Sequence, residues 1–185
     1  MSADTHLVGV LQLAKDGGVI GNTDLTIEIS RARVFVDVIR SLSNVHSILD
    51  IGSGGGLPGL VVAHDCPEAS ITLVDRREKR TDLLQRQAHR LRRHVPGRPS
   101  EVICADVSAL HGKATFDVVT ARSFGSPDVV LDIALPLVSV GGRLLVSEPP
   151  DTTENRWPLE LLAAWNAAIA AWKTPTTSLA VIQRQ

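Results

Sequence analysis

Apolar positions along the chain fall into two recurring patterns. Short, nearly continuous runs rich in Val and Ile occur at Ser47–Ile51, Ile71–Asp75, Glu101–Cys104, Phe116–Thr120, Arg143–Ser147 and Leu179–Gln183. Runs without polar alternation suit strands buried on both faces. Between them, apolar residues recur every three or four positions, which predicts helices over Leu57–Ala63, Arg77–Arg93, Pro127–Val138 and Leu159–Trp172. Ser126 stands where a cap is favoured and Pro127 suits a first turn, while Pro136 should end or kink that helix. Ahead of the first strand, Ile27, Val34, Phe35, Val38, Ile39 and Leu42 predict an amphipathic helix over Glu28–Leu42, and a weaker one at Leu7–Lys15 closes on Gly17 and Gly18. In the late helix Trp157, Leu161, Leu162, Trp165, Ala168, Ile169 and Trp172 fall on one face, a spacing that suits packing on the sheet better than base stacking. The alternation of strands and helices predicts an α/β fold, a doubly wound and mostly parallel sheet of about six to seven strands with N-terminal helices. With no linker or repeat, the 185 residues read as one domain, residues 1–45 a helical segment and 46–185 the α/β core.

Candidate chemistry centres on Asp50-Ile51-Gly52-Ser53-Gly54-Gly55-Gly56-Leu57-Pro58-Gly59, which follows the first strand and opens a helix. Glycines let a backbone approach a ligand closely, and a helix start offers free N–H groups. Two ligands compete for such a loop. Gly54, Gly56 and Gly59 have the spacing of a dinucleotide loop, with Asp75 about twenty residues further on to hold a ribose. Asp50, two residues before the alternating Gly52, Gly54 and Gly56, points instead to a ligand carrying an ammonium, since the acid would repel a diphosphate. Asp75 at the end of the second strand has two oxygens for two ribose hydroxyls, and Asp106, just past the third, is placed to meet an adenine amino group.

The net charge of −1 hides a cancellation. Arg76–Arg98 holds nine basic and two acidic residues, a net of +7, and the remainder carries −8. Lys79, Arg86, Arg90 and Arg93 share a stripe opposite Leu83, Leu84, Ala88 and Leu91, which is either a solvated helix face or a contact for an RNA backbone. With no Tyr, three Phe and three Trp, a multi-aromatic stacking platform for single strands is not expected. Cys66 and Cys104 have no neighbours at ligand spacing and the six histidines are scattered, so no metal site is expected. There is no basic leader and no stretch near the ~20 apolar residues of a membrane span, which suggests a soluble, cytoplasmic protein.

Extended over Leu49–Gly59 (LDIGSGGGLPG), Ile71–Arg80 (ITLVDRREKR), Phe116–Arg122 (FDVVTAR) and the Gly141-Gly142 turn, the sequence resembles the RsmG (GidB) family. These are methyltransferases that use S-adenosylmethionine (SAM) to modify guanine-N7 in 16S rRNA, and the resemblance covers roughly Arg33 to Ser147. It implies the Rossmann-like fold of class I SAM-dependent methyltransferases. It also implies that Gly52, Gly54 and Gly56 bind SAM, Asp75 its ribose and Asp106 its adenine, with Asp50, Ser53, Leu57, Arg76 and Val107 completing the cofactor set. Arg122, at the end of the fourth strand, falls where the family keeps an arginine facing the methyl-transfer site, and is counted with the cofactor residues too. Ser123, Phe124 and Glu148 form the expected substrate rim. The implied partner is 16S rRNA or the small ribosomal subunit, docked through the basic helix 76–98, with no DNA and no membrane.

The chain departs from the family pattern where the substrate should lie. It reads Arg33-Val34-Phe35-Val36-Asp37-Val38, without the family's histidine and serine, and Ser147-Glu148-Pro149-Pro150 in place of a lysine and glycine. A glutamate there repels phosphate, but accepts hydrogen bonds from a guanine's amino and imino groups or from a cationic small substrate. After Trp172 there is room for one further strand, where this fold normally has a hairpin. Guanine-N7 carries no proton, so its methylation needs alignment and no general base, which fits a chain lacking an evident acid/base constellation. The alternatives are a SAM-dependent enzyme acting on a small molecule or another RNA, and a nucleotide- or SAM-binding protein without catalysis.

Overall fold

A computed structural model describes residues 3–95, 97, 100–149, 156–174 and 177–185. Arg98 and Pro150, and the side chain of Trp172, lie outside the described residues. Two helices, α1 (Ala3–Asp16) and α2 (Leu25–Ser41), precede β1 (Ser47–Ile51), α3 (Gly59–Asp65), β2 (Ser70–Asp75), α4 (Glu78–Arg92) and β3 (Ser100–Cys104). There follow β4 (Phe116–Ala121), α5 (Pro127–Ala134), β5 (Val138–Glu148), α6 (Leu159–Ala164), β6 (Ala167–Lys173) and β7 (Ser178–Arg184). Asp24 caps α2 by accepting from the Thr26 N–H at 2.8 Å. Pro136 acts as its chemistry requires, since α5 stops at Ala134 and a single 3₁₀ turn, Leu135–Leu137, leads into β5.

The seven strands lie in the order β3-β2-β1-β4-β5-β7-β6, with β7 antiparallel to both of its neighbours and the remaining pairs parallel. Buried alternation along each central strand feeds two cores. Ile48, Val118 and Leu145 join α1 to α4 on one face, while Leu49, Val119, Leu144 and Val146 join α5 and α6 on the other. This is why the runs read as continuous: both faces of the sheet are covered. The strand order reverses between β1 and β4, so the connections leaving their carboxyl ends diverge and open a crevice, the place where such sheets bind ligands.

The C-terminal region departs from the periodicity. The helix expected over Leu159–Trp172 ends at Ala164. Asn166 then takes a left-handed conformation (φ 48°), and residues 167–173 form β6, paired in full with β7. The expected tryptophan stripe therefore does not exist as a helix face. Trp157 is buried ahead of α6, and Trp165 sits in the turn with the Arg184 guanidinium 4.9 Å from its ring centroid. The alanine-rich segment has helical propensity, but strand pairing satisfies its backbone and completes the sheet. The expectation of a single terminal strand is corrected by the same observation: β6 and β7 form the hairpin.

Candidate active site

The glycine loop leaves β1 and turns beneath the ends of β1 and β2. Gly52, Gly54 and Gly56 all have positive φ (65°, 53° and 96°), a backbone that side chains rarely adopt. At Gly52 space forbids one as well, since a Cβ would lie 2.7 Å from the Phe124 ring. Ser53 staples the loop to β2: its N–H donates to Val74 O at 3.0 Å, its hydroxyl donates to Asp50 O at 2.8 Å, and the Val74 N–H donates back to that hydroxyl at 3.1 Å. Gln87 on α4, whose place in the sequence carries no such signal, donates to Val10 O and to Gly55 O at 3.1 and 3.2 Å, clamping the loop between helices.

A cavity of about 370 Å³ opens beside this loop. Gly52, Asp75, Arg76, Asp106 and Val107 line it, with Phe124, Val129 and Ile133 as its apolar wall. Asp75 Oδ2 accepts from the Gly54 N–H (3.0 Å) and Oδ1 from the Arg77 N–H (2.9 Å), so Oδ1, which has no other partner among the described residues, keeps one lone pair for a ligand hydroxyl. Arg80 stands 3.5 Å from Asp75 Oδ2. Asp106 Oδ1 caps a 3₁₀ turn through the Ser108 hydroxyl and N–H at 2.7 and 3.0 Å, bonds that hold its carboxyl below the usual range and leave Oδ2 for a ligand. Leu57 packs against the core beside Leu60 and lines neither this cavity nor the next.

Asp50 lies under the loop and lines neither cavity. Its Oδ1 accepts from the Thr120 hydroxyl at 2.7 Å across the β1–β4 pair, and its Oδ2 is buried without a hydrogen-bond partner. Burial pushes the carboxyl up to about 6, against the opposing effects of Thr120, Ser53, the Gly59 N–H and the Arg122 charge.

Beyond β4 a second cavity, about 360 Å³, shares Ser123 and Phe124 with the first. Ser123 holds a positive φ (52°), rare for a residue with a side chain and common at functional turns. Arg122, Phe35, Glu148 and Thr177 line this cavity, with Arg31 and Arg156 half-exposed at its edge. Arg122 donates to buried Glu28 on α2, which also holds Arg31 at 2.9 Å. Burial works to raise the Glu28 carboxyl, yet the hydrogen bond and charge of Arg122, joined by Arg31, hold it below its ordinary value. Glu28 is thus a site residue that sequence reasoning passes over as one more polar position on an amphipathic helix. Glu148 accepts from the Trp157 indole N–H and stands 3.0 Å from Arg156 Nε.

The structure therefore gathers Gly52, Asp75, Arg76, Asp106 and Val107 around one cavity and Arg122 and Glu148 around its neighbour, with Ser123 between them. It places Asp50, Ser53, Gly56 and Leu57 as supports of the loop. Of the basic segment, Arg76, Arg77 and Arg80 face the first cavity, whereas Arg86, Arg90 and Arg93 line a shallow groove along α4 with His89 and His94. Within that patch the His6 ring of α1 stacks on His94, centroids 4.1 Å apart.

Sheet order, glycine loop and the crevice between β1 and β4 together define the fold of the class I SAM-dependent methyltransferases. Solved structures agree. The O-methyltransferase of Bacillus cereus in complex with SAH matches 98% of this chain and 91% of its own at a TM-score of 0.73 and 16% identity. The magnesium protoporphyrin IX methyltransferase of Synechocystis with bound SAM matches 99% and 98% at 0.64 and 14%. Within that class, the model of the GidB family, rRNA small subunit methyltransferase G, matches residues 27–154, and the chain belongs to this family. Curated members named ribosomal RNA small subunit methyltransferase G include those of Nocardioides (35% identical over 130 residues, 70% of this chain and 48% of that one) and Thermotoga neapolitana (32% over 109, 59% and 47%). The chain spans about half the length of these relatives.

Proposed function

We propose that the protein is a SAM-dependent methyltransferase acting on guanine-N7 of 16S rRNA, and that the chain is one methyltransferase domain with α1 and α2 part of its core. The observation that carries this is the pair of abutting cavities sharing Ser123 and Phe124: one suits a nucleoside, the other an acceptor. The first fits adenosine in detail. Asp75 Oδ1 retains an acceptor for a ribose hydroxyl, Asp106 Oδ2 is available to an amino group, and Val107, Ile133 and Phe124 supply apolar walls. The missing Cβ at Gly52 lets the Phe124 ring close against the loop, where it forms part of both cavities. When bound, SAM supplies a sulfonium methyl that an acceptor lone pair takes up without proton transfer. The protein's part is alignment and exclusion of water. Arg122 is held in place by Glu28, and the strained Ser123 sets the wall across which donor and acceptor meet. The family's description names the small-subunit rRNA, and the cations at the acceptor rim, Arg31 and Arg156, suit its phosphates. A cytoplasmic location follows from this substrate, and no helix among the described residues is long and apolar enough to cross a membrane.

The test uses labelled SAM with small ribosomal subunits from a strain lacking the gene, and naked 16S rRNA alongside. Label recovered as 7-methylguanine in either substrate is the expected result. Absence of label in both, at enzyme levels stoichiometric with RNA, overturns the assignment to rRNA.

A further inference from the structure

Buried polar atoms without hydrogen-bond partners are uncommon in folded proteins, and where they cluster they point to an absent ligand. Among the described residues, three such atoms belong to the lining of the acceptor cavity: Arg122 Nη1, Glu148 Oε2 and Thr177 Oγ1. The first is a fixed donor, the second an acceptor and the third can be either. Glu148 is more than nine-tenths buried, with a side-chain exposure of 9%, and its contact with Arg156 Nε is an ion pair rather than a hydrogen bond. One lone pair on Oε1 also remains beside the bond from Trp157.

We propose that this cavity reads an unpaired guanine, with Glu148 accepting from its N1–H and N2–H and Arg122 Nη1 donating to O6. This rests on the methyl-transfer reading above and deepens it. Among the four bases only guanine presents an acceptor followed by two adjacent donors along one edge, the complement of an arginine donor beside a two-oxygen carboxylate. Adenine places an amino donor against Arg122 and a bare ring nitrogen against Glu148, a mismatch at both. Uracil and cytosine end the edge in a carbonyl that Glu148 repels. Guanine N7 adjoins O6, so holding O6 at Arg122 turns N7 towards the Ser123–Phe124 wall and the cofactor cavity beyond it. Phe124 provides apolar surface for the ring. The edge engaged by Glu148 is the one used in base pairing, so the guanine enters unpaired and out of its helix. Arg156, 36% exposed, is free to exchange Glu148 for a flanking phosphate as the base arrives.

The experiment titrates the full chain, saturated with S-adenosylhomocysteine, with GMP, IMP (which lacks the amino group), 1-methyl-GMP (which lacks the N1 proton) and AMP. Wild type should bind GMP about tenfold or more tighter than each of the others. Glu148→Gln should bring GMP and IMP to within about twofold of each other, with affinity for S-adenosylhomocysteine as the folding control. Equal binding of GMP, IMP and 1-methyl-GMP by wild type, or a GMP preference kept intact in E148Q, overturns the proposal. Should E148Q fail to fold, the wild-type ratio of GMP to 1-methyl-GMP decides alone. Failure to bind S-adenosylhomocysteine would sink the methyl-transfer reading instead, and the same nucleotide ratios in the cofactor-free protein would still decide the fate of this one.

Discussion

Asp50 stands first among the residues because its ionisation opposes folding while favouring a cationic ligand. Burial raises its carboxyl to about 6 in the folded protein, from an ordinary value of 3.8. Between those values the folded protein binds more protons than the unfolded chain, so stability falls as pH rises through the window and the full cost is present at pH 8. Asp50→Asn should therefore melt higher than wild type at pH 8 without ligand, and the gap should close near pH 4; a lower melting temperature at pH 8 would show that the Thr120 hydrogen bond and the attraction of the Arg122 charge outweigh burial. The ionised form supplies the negative potential under the loop, so SAM affinity should decline below about pH 6 in wild type and become pH-independent there in the variant, as calorimetry would show. Gly52 makes a second prediction. An alanine at φ 65°, its Cβ driven to 2.7 Å from Phe124, should cost about 1 kcal/mol or more of stability and roughly tenfold in S-adenosylhomocysteine affinity. Unchanged affinity would mean that Phe124 moves freely and that the cradle is not shaped by this contact. The placement of the glycine loop, Asp75 and Asp106 was legible in the sequence because it follows from position relative to a strand end. Glu28 and Gln87 were not: they act on partners 94 and 32 residues away in the chain, distances that no local pattern reports.

Among the elements, α2 is tied to β4 by the Glu28–Arg122 pair with Arg31 alongside. Glu28→Gln leaves Arg122 largely buried without its counter-charge. The expected loss is about 3 kcal/mol, at the low end for breaking a buried pair because Arg122 keeps partial access to water. Since the folded Glu28 carboxyl lies below its ordinary value, its contribution is present at neutral pH and lost as pH falls below the ordinary carboxylate range, so urea midpoints of variant and wild type should converge under acid conditions. Parallel loss at every pH would assign the effect to packing instead. Most elements were legible within a few residues, because buried strands and amphipathic helices carry different periods. β6 was not. Its residues read as a continuing helix, and only the register of Ala167 to Lys173 against Arg184 to Ser178 makes a strand of them.

Across the whole molecule, the basic segment divides its charge. Its first arginines line the cavity beside the glycine loop, and its later ones line an exposed groove on α4. If that groove tracks an RNA backbone, Arg86→Glu, Arg90→Glu and Arg93→Glu combined should weaken RNA binding evenly across sequences and reduce the salt slope by about one for each phosphate no longer neutralised. Affinity for S-adenosylhomocysteine should be untouched, since none of the three lines that cavity. An unchanged salt slope would make the stripe a solvated face and no more. The sequence by itself determined the layered α/β fold, the glycine loop and the acids at the end of β2 and just past β3, because each depends on residue type and on spacing within a few tens of residues. The tertiary structure decided the acceptor side. Arg31, Arg122, Glu148 and Thr177 come together only when α2, β4, β5 and β7 are packed, and the polar atoms that Arg122, Glu148 and Thr177 hold without hydrogen-bond partners are buried only once those elements have displaced water from around them.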